Sequence, residues 1–255
     1  NALFVPNCDL LEGTAFYAMS AGLGILFATQ IGAACALVLG GRTRGVIGAL
    51  LVGLLWTAKD CLHLFTDPPI FVFNPFFGFF SGAIYDDVIA IDGRFLWFRV
   101  ASLVQVAWMW SFIHLGWHEG EWSIAGLRAR GVRSNTRLWA TFALLSFLCG
   151  GLYGARATIG YEIDQAAIER TLGGRLESDT ITLIYDRTSI EPDRAERLMW
   201  DARFRLHQLG ELLEEEEIAP FTLFLYGSPD QKRRLMGASR VQLAKPWLRQ
   251  AHIHN

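Results

Sequence analysis

Residues 13–41 form a run of 29 positions without one charged side chain. At about 1.5 Å of helical rise per residue, such a run exceeds the roughly 30 Å hydrocarbon core of a bilayer. A helix satisfies its own backbone polar groups there, where water cannot. The run therefore predicts a spanning helix. Three more apolar stretches follow. Residues 45–65 are interrupted near their far end by Lys59, Asp60 and His63, residues 100–118 carry Trp108, Trp110 and Trp117, and residues 138–155 lie between Arg137 and Arg156. The predicted fold class is a membrane all-α bundle of four transmembrane helices followed by a small α/β extracytoplasmic domain.

The composition changes at Arg156. The first 155 residues carry 18 charged side chains and the last 100 carry 30, so the boundary separates a lipid-compatible part from a water-compatible one. The predicted domains are an extracytoplasmic N-terminal segment (1–12), a transmembrane domain (13–155) with an interfacial loop at 66–94, and the extracytoplasmic domain (156–255). A net charge of −2, with acids and bases intermixed, gives no cationic face for nucleic acid. Cys8, Cys35, Cys61 and Cys149 have neither metal-type nor paired spacing, and no intrachain disulfide is expected.

Orientation follows from the short loops, because Lys and Arg stay on the cytoplasmic side. Arg42 and Arg44 follow the first stretch; Arg128, Arg130, Arg133 and Arg137 follow the third. The loop between these two basic segments carries Asp67, Asp86, Asp87 and Asp92 against Arg94 and Arg99. The pattern predicts a multi-pass membrane protein with its N-terminus, its acidic loop and everything after Arg156 on the outer side, and its two basic loops facing the cytoplasm. An outside N-terminus without a signal peptide also predicts a further span upstream.

Two features of the membrane half are candidates for function. Lys59 and His63 stand one helical turn apart with Asp60 adjacent, so an intramembrane polar cluster could handle protons or ions, or simply pair. Residues 68–85 are uncharged, but their prolines and glycines exclude a regular spanning helix. Phe71, Phe73, Phe76, Phe77, Phe79 and Phe80 suit the headgroup level, as a lipid or partner contact or as a loop packed on the bundle. Small residues at helical spacing, Gly22, Gly32 and Ala36 or Gly150 and Gly154, would let helices approach closely.

Beyond Arg156 the periodicity predicts an amphipathic helix ending before Gly173, a strand at 181–185, and a long helix. The apolar face of that helix includes Ala195, Leu198, Met199, Ala202, Leu206, Leu209 and Leu213. A second strand at 221–226 and a helix opened by Ser228 and Pro229 follow. Two strands and three helices make a thin core, one that leans on a partner or on further chain. The run from Glu214 to Glu217 reads as a solvated helix end. His252 and His254 alternate as two imidazoles on one face of a strand would, a spacing that suits zinc. Two ligands fall short of the usual three, and no HExxH occurs, so the spacing equally suits histidines at a surface or chain end.

This succession of strand, long helix, strand ending in Leu225-Tyr226, Ser228-Pro229 helix and Lys245-Pro246-Trp247 leading to His252 and His254 resembles the front half of a gluzincin-type zinc metallopeptidase domain. The membrane half, with Asn74-Pro75-Phe76-Phe77-Gly78 and Ile84-Tyr85-Asp86-Asp87, resembles bacterial multi-span proteins carrying such a domain after their last span. The resemblance implies a place in the bacterial cytoplasmic (inner) membrane with the C-terminal domain periplasmic or extracellular, zinc in a full-length protein and an HExxH helix soon after residue 255. It assigns no catalytic residue and no cofactor to the residues present. Two functions follow as expectations: a non-catalytic structural or accessory subunit, whose partners are the lipid bilayer and other membrane subunits, or a fragment of a membrane-anchored zinc metallopeptidase.

Overall fold

The computed structural model describes residues 10–81, 91–118, 121–123, 135–214 and 219–255. Asp86, Asp87, Arg128, Arg130, Arg133, the Ile84–Asp87 phrase, most of segment 1–12 and the end of the glutamate run lie outside the described residues. The chain divides into two units. One comprises Asn1–Leu62, Val72–Phe80 and Ala90–Glu162, and the other His63–Phe71, Ser81–Ile89 and Ile163–Asn255. The boundary is therefore not at Arg156 alone, since the last turn of the second helix groups with the C-terminal unit.

The first unit is helical. Helix α1 covers Leu10–Leu39, with a π-helical segment at Ala18–Gly22, and stops where Gly40 takes a left-handed φ of 64°. Helix α2 is Arg42–Thr66 and α3 is Gly93–Gly116. Asp92 caps α3 by accepting a hydrogen bond from the Phe95 amide at 2.9 Å. These three helices are long and apolar enough to cross a membrane. Helix α4, Thr136–Gly154, occupies the fourth apolar stretch, and a single-turn α5, Arg156–Ile159, follows it. Helix α3 packs on α1 and on α4, where the Trp108 indole donates to Ser146 Oγ at 2.9 Å.

Close approach occurs at other glycines than the spacing suggested. A Cβ on Gly45 would lie 2.5 Å from Ala36 Cα, and one on Gly48 would lie 2.6 Å from a Leu39 methyl, so α1 and α2 touch beside their connection. Gly22, Gly32, Gly150 and Gly154 have nothing within 4 Å of that position. Of the predicted set only Ala36 serves.

The aromatic loop has no spanning helix among its described residues and contains a short hairpin. Strands β1, Val72–Asn74, and β2, Gly78–Phe80, pair antiparallel, as do the later two-residue strands β3, Trp117–His118, and β4, Glu121–Trp122. Asn74 Oδ1 accepts from the Phe76 and Phe77 amides, closing the turn, and Gly78 supplies the φ of 93° that returns the chain. The turn lies so close to α1 that a Cβ on Gly24 would be 2.0 Å from Phe76 O.

The second unit is an α/β layer. Helix α6, Gln165–Leu172, is capped by Asp164 and ended by left-handed Gly173, which opens β5, Gly173–Glu177. Strand β6, Ile181–Asp186, leads into α7, Pro192–Leu213, which returns to β7, Phe221–Tyr226. Ser228 Oγ caps α8, Pro229–Met236, accepting from the Gln231 amide at 3.1 Å. Strands β8, Leu243–Lys245, and β9, Gln250–His254, complete a sheet of order β5-β6-β7-β9-β8. The central strands β6, β7 and β9 run parallel, while both edges, β5 and β8, are antiparallel.

Sequence periodicity found β6 and β7 because both are apolar and central. It missed β5 and β8, whose residues become strands by pairing, and touched β9 only through the alternation of His252 and His254. The core gathers Ile181, Leu183, Tyr185, Ile190, Ala195, Met199 and Leu225, each large aliphatic contributing roughly 1.5–3 kcal/mol by its burial. Only the N-terminal two-thirds of the predicted α7 face packs there. Leu209 and Leu213 are exposed, as are Trp200, Phe204 and Leu212.

Candidate functional site

Strand β9 sits between two neighbours, so the alternation of its side chains decides which are buried. His252 pairs across with Phe224 and is fully buried, which corrects its reading as a surface or chain-end residue. Its ring stacks on Phe224 with centroids 4.7 Å apart, and Nδ1 shares a 3.1 Å hydrogen bond with the Tyr226 hydroxyl. Nε2 has no hydrogen-bond partner. Burial, with help from the Lys245 and Lys232 charges, pushes the imidazole down to about 3, so it is neutral at physiological pH. Burial likewise raises the Tyr226 hydroxyl above its ordinary range.

His254 lies on the same face of β9, half-buried, with Nδ1 3.3 Å from Gln242 Nε2. The two imidazoles therefore share a face but make separate hydrogen bonds. Among the described residues, no group of three His, Cys, Asp or Glu side chains stands together as a metal site would require.

Next to this strand, the Lys245 ammonium is buried against three backbone carbonyls: Leu64 O at 3.0 Å, Asp67 O at 2.7 Å and Pro69 O at 3.0 Å. Helix C-termini leave their last carbonyls without partners, and Lys245 supplies a charged donor for that end of α2. Burial pushes this amine down to about 8, opposed by the Asp67 carboxylate, so it remains protonated at neutral pH. Trp247 adds an indole donor to Phe65 O at 2.9 Å. The Lys-Pro-Trp phrase thus has a structural task that spacing alone did not reveal.

The carboxyl ends of parallel strands are where α/β sheets usually form ligand crevices. Here the end of β6 presents Asp186, which accepts from Ser189 Oγ at 2.5 Å, Thr188 Oγ1 at 2.8 Å and Thr188 N at 3.2 Å. Burial raises its pKa, but these hydrogen bonds and one from Gln231 outweigh burial and hold it below the usual carboxylate value. Gly227 must lack a side chain, since its Cβ would fall 2.0 Å from Ser189 Oγ. This carboxylate organises a turn.

Along α2, Lys59 and Asp60 belong to the helical unit and His63 to the C-terminal one, and their partners differ. Buried Asp60 accepts from Asn74 Nδ2 at 2.5 Å, joining α2 to β1, and lies 3.5 Å from Lys59 Nζ. Lys59 also lies 3.5 Å from Glu162, while His63 turns instead to Asp67 at 3.0 Å. The six phenylalanines also part company. Phe71 and Phe73 are buried, Phe76 and Phe79 half-buried, and only Phe77 and Phe80 are exposed.

Sequence reasoning passed over Arg99 as a residue at the edge of a span. It is 3% exposed on α3, donates to Pro75 O at 3.3 Å and Ser20 O at 3.2 Å, and stacks near the rings of Phe95 and Phe98. Among the described residues no carboxylate pairs with it. The signal was available, because a cation one and a half turns inside an apolar helix requires an unusual environment.

No known protein family, curated protein or solved structure matches the chain.

Proposed function

We propose that this chain acts as a membrane-embedded, non-catalytic structural or accessory element of a larger assembly. Helices α1 to α4 form a four-span anchor in the bacterial inner membrane, and the α/β unit is displayed on its outer face. The supporting observation is the broken apolar stripe that α7 exposes: Trp200 and Phe204, one turn apart on the side away from the packed face, and Leu209 and Leu213, which continue the packed face beyond the part that the core covers. Apolar side chains left exposed one helical turn apart mark an interaction site. A photo-crosslinking residue at position 204 in intact membranes should give a discrete adduct, absent when the residue is placed at exposed Asp179, in the turn between β5 and β6. No adduct at position 204 would refute the docking role. Protease protection of everything after Arg156 in intact cells would refute the outer-face topology.

The order of elements favours a second reading. Strand β6, the long helix α7, strand β7, the Ser228-capped α8 and the strand carrying His252 and His254 form one sheet in the succession resembling a gluzincin-type zinc metallopeptidase. On this reading the residues present are the anchor and sheet lobe, and the α7 stripe is covered by downstream chain. An HExxH in the reading frame beyond Asn255, and stoichiometric zinc in the purified full-length protein, would support it. A metal-free full-length protein would sink it.

A further inference from the structure

Between α1 and α2 lies an apolar groove of about 780 Å³, within the size range of small-molecule and lipid sites. The two helices touch at Gly45 and Gly48, and at the opposite end the rings of Phe27, Trp56 and Phe76 meet edge to face. The groove occupies the space between. From Ser20 to Ile31 its α1 wall runs for on the order of 16 Å at helical rise. Ile25, Val46, Leu50 and Leu54 line it and are exposed, so the groove opens sideways along the apolar helix surface.

Its polarity is graded. The end near Ile31 and Val46 is wholly apolar, whereas the other end carries Thr57 and Ser20. Thr57 is satisfied within its helix by Gly53 O, but Ser20 Oγ is buried, 8% exposed as a residue, and has no hydrogen-bond partner. Behind it, buried and outside the groove's lining, Arg99 has Nη2 3.2 Å from Ser20 O, and its Nε has no hydrogen-bond partner among the described residues. A cation without a counter-ion in a low-dielectric setting favours an anion nearby, and an unpartnered buried hydroxyl favours a polar ligand atom.

We propose that this groove holds one acyl chain of an anionic phospholipid from the outer leaflet, with its headgroup at the Ser20 and Arg99 end. The proposal rests on the membrane-spanning reading of α1 and α2. The apolar groove is then surrounded by acyl chains, its graded lining matches an amphiphile whose head lies toward the outer side, and the uncompensated guanidinium selects for negative charge.

The test uses the full chain in phosphatidylcholine vesicles containing phosphatidylglycerol, with spin-labelled analogues of each lipid in turn. Wild-type protein should immobilise labelled phosphatidylglycerol in preference to phosphatidylcholine. Gly53→Leu places a side chain into the groove where a Cβ meets nothing within 4 Å, and should reduce the specific immobilised population roughly tenfold. Arg99→Gln, or Ser20→Ala if the former does not fold, should weaken the preference for the anionic lipid. Equal immobilisation of both lipids by wild type, or an unchanged signal in Gly53→Leu, overturns the proposal. Alkaline carbonate extraction of the same membranes separates the two failures. Protein released by carbonate negates the spanning helices, whereas protein retained with no specific lipid negates the groove alone.

Discussion

Replacing Lys245 with Met keeps the length and most of the volume of the side chain while removing its charge and three hydrogen bonds. The ammonium donates to Leu64 O, Asp67 O and Pro69 O, and the residue is 2% exposed. Charge-assisted hydrogen bonds are stronger than neutral ones, but burying an ammonium costs several kcal/mol, which the substitution recovers. The net loss therefore comes from the acceptors left behind. Pro69 O is in a buried contact and loses its charged donor outright, at about 1–3 kcal/mol, while Leu64 O and Asp67 O are in part-buried contacts and regain some hydration. Together these give about 3 kcal/mol. For a unit of this size that lowers the unfolding midpoint by roughly 15 °C. Amide exchange during a thermal ramp, read on peptides covering β7 and β9 in the detergent-solubilised full chain, measures it. A fall of less than about 3 °C would show that desolvation of the ammonium cancels its hydrogen bonds, refuting Lys245 as the group that closes α2.

Three other outcomes are expected. His252 titrates near 3 when folded and near the ordinary 6.5 when unfolded, so between those values the unfolded chain binds more protons; stability is complete above pH 6.5 and falls by about 4 kcal/mol as pH drops toward 3. His252→Phe should flatten that part of a pH series of denaturant midpoints, and an unchanged slope would remove His252 as its source. Gly24→Val drives a side chain into Phe76 O, already 2.0 Å from an ideal Cβ, and should displace the β1–β2 hairpin, read as a gain in labelling of a cysteine placed at Phe73. Ser228→Ala removes the cap on α8 and should cost about 1 kcal/mol in urea unfolding, with Ser228→Asp restoring it.

The long helices were legible because their cause is local: 29 uncharged positions dictate a helix whatever surrounds them, although the Asp92 cap that starts α3 seven residues before its apolar stretch was read as part of the acidic loop. The same holds for α7 and α8, where Pro192, Ser228 and Pro229 set the starts. Strands β5 and β8 were not legible, because Gly173–Glu177 and Leu243–Lys245 have little apolar alternation and are strands only through the hydrogen bonds of the strand that follows each, while β9 showed only in the alternation of its histidines. His252 shows the same limit. Its spacing from His254 was plain, but its burial follows from β9 being flanked by β7 and β8, and that same burial makes it neutral.

The sequence by itself determined the apolar helices, the compositional step at Arg156 and the order of the α/β unit's helices with strands β6 and β7. These depend on neighbouring residues and on transfer from water. Only the tertiary structure decided that the phenylalanine loop contains a hairpin with Phe71 and Phe73 buried, that Asp60 joins Asn74 while His63 joins Asp67, and that Arg99, near an apolar groove, has no carboxylate partner among the described residues. Each is a pairing between segments far apart in the chain, whose energy depends on which group arrives opposite and on how much water it displaces.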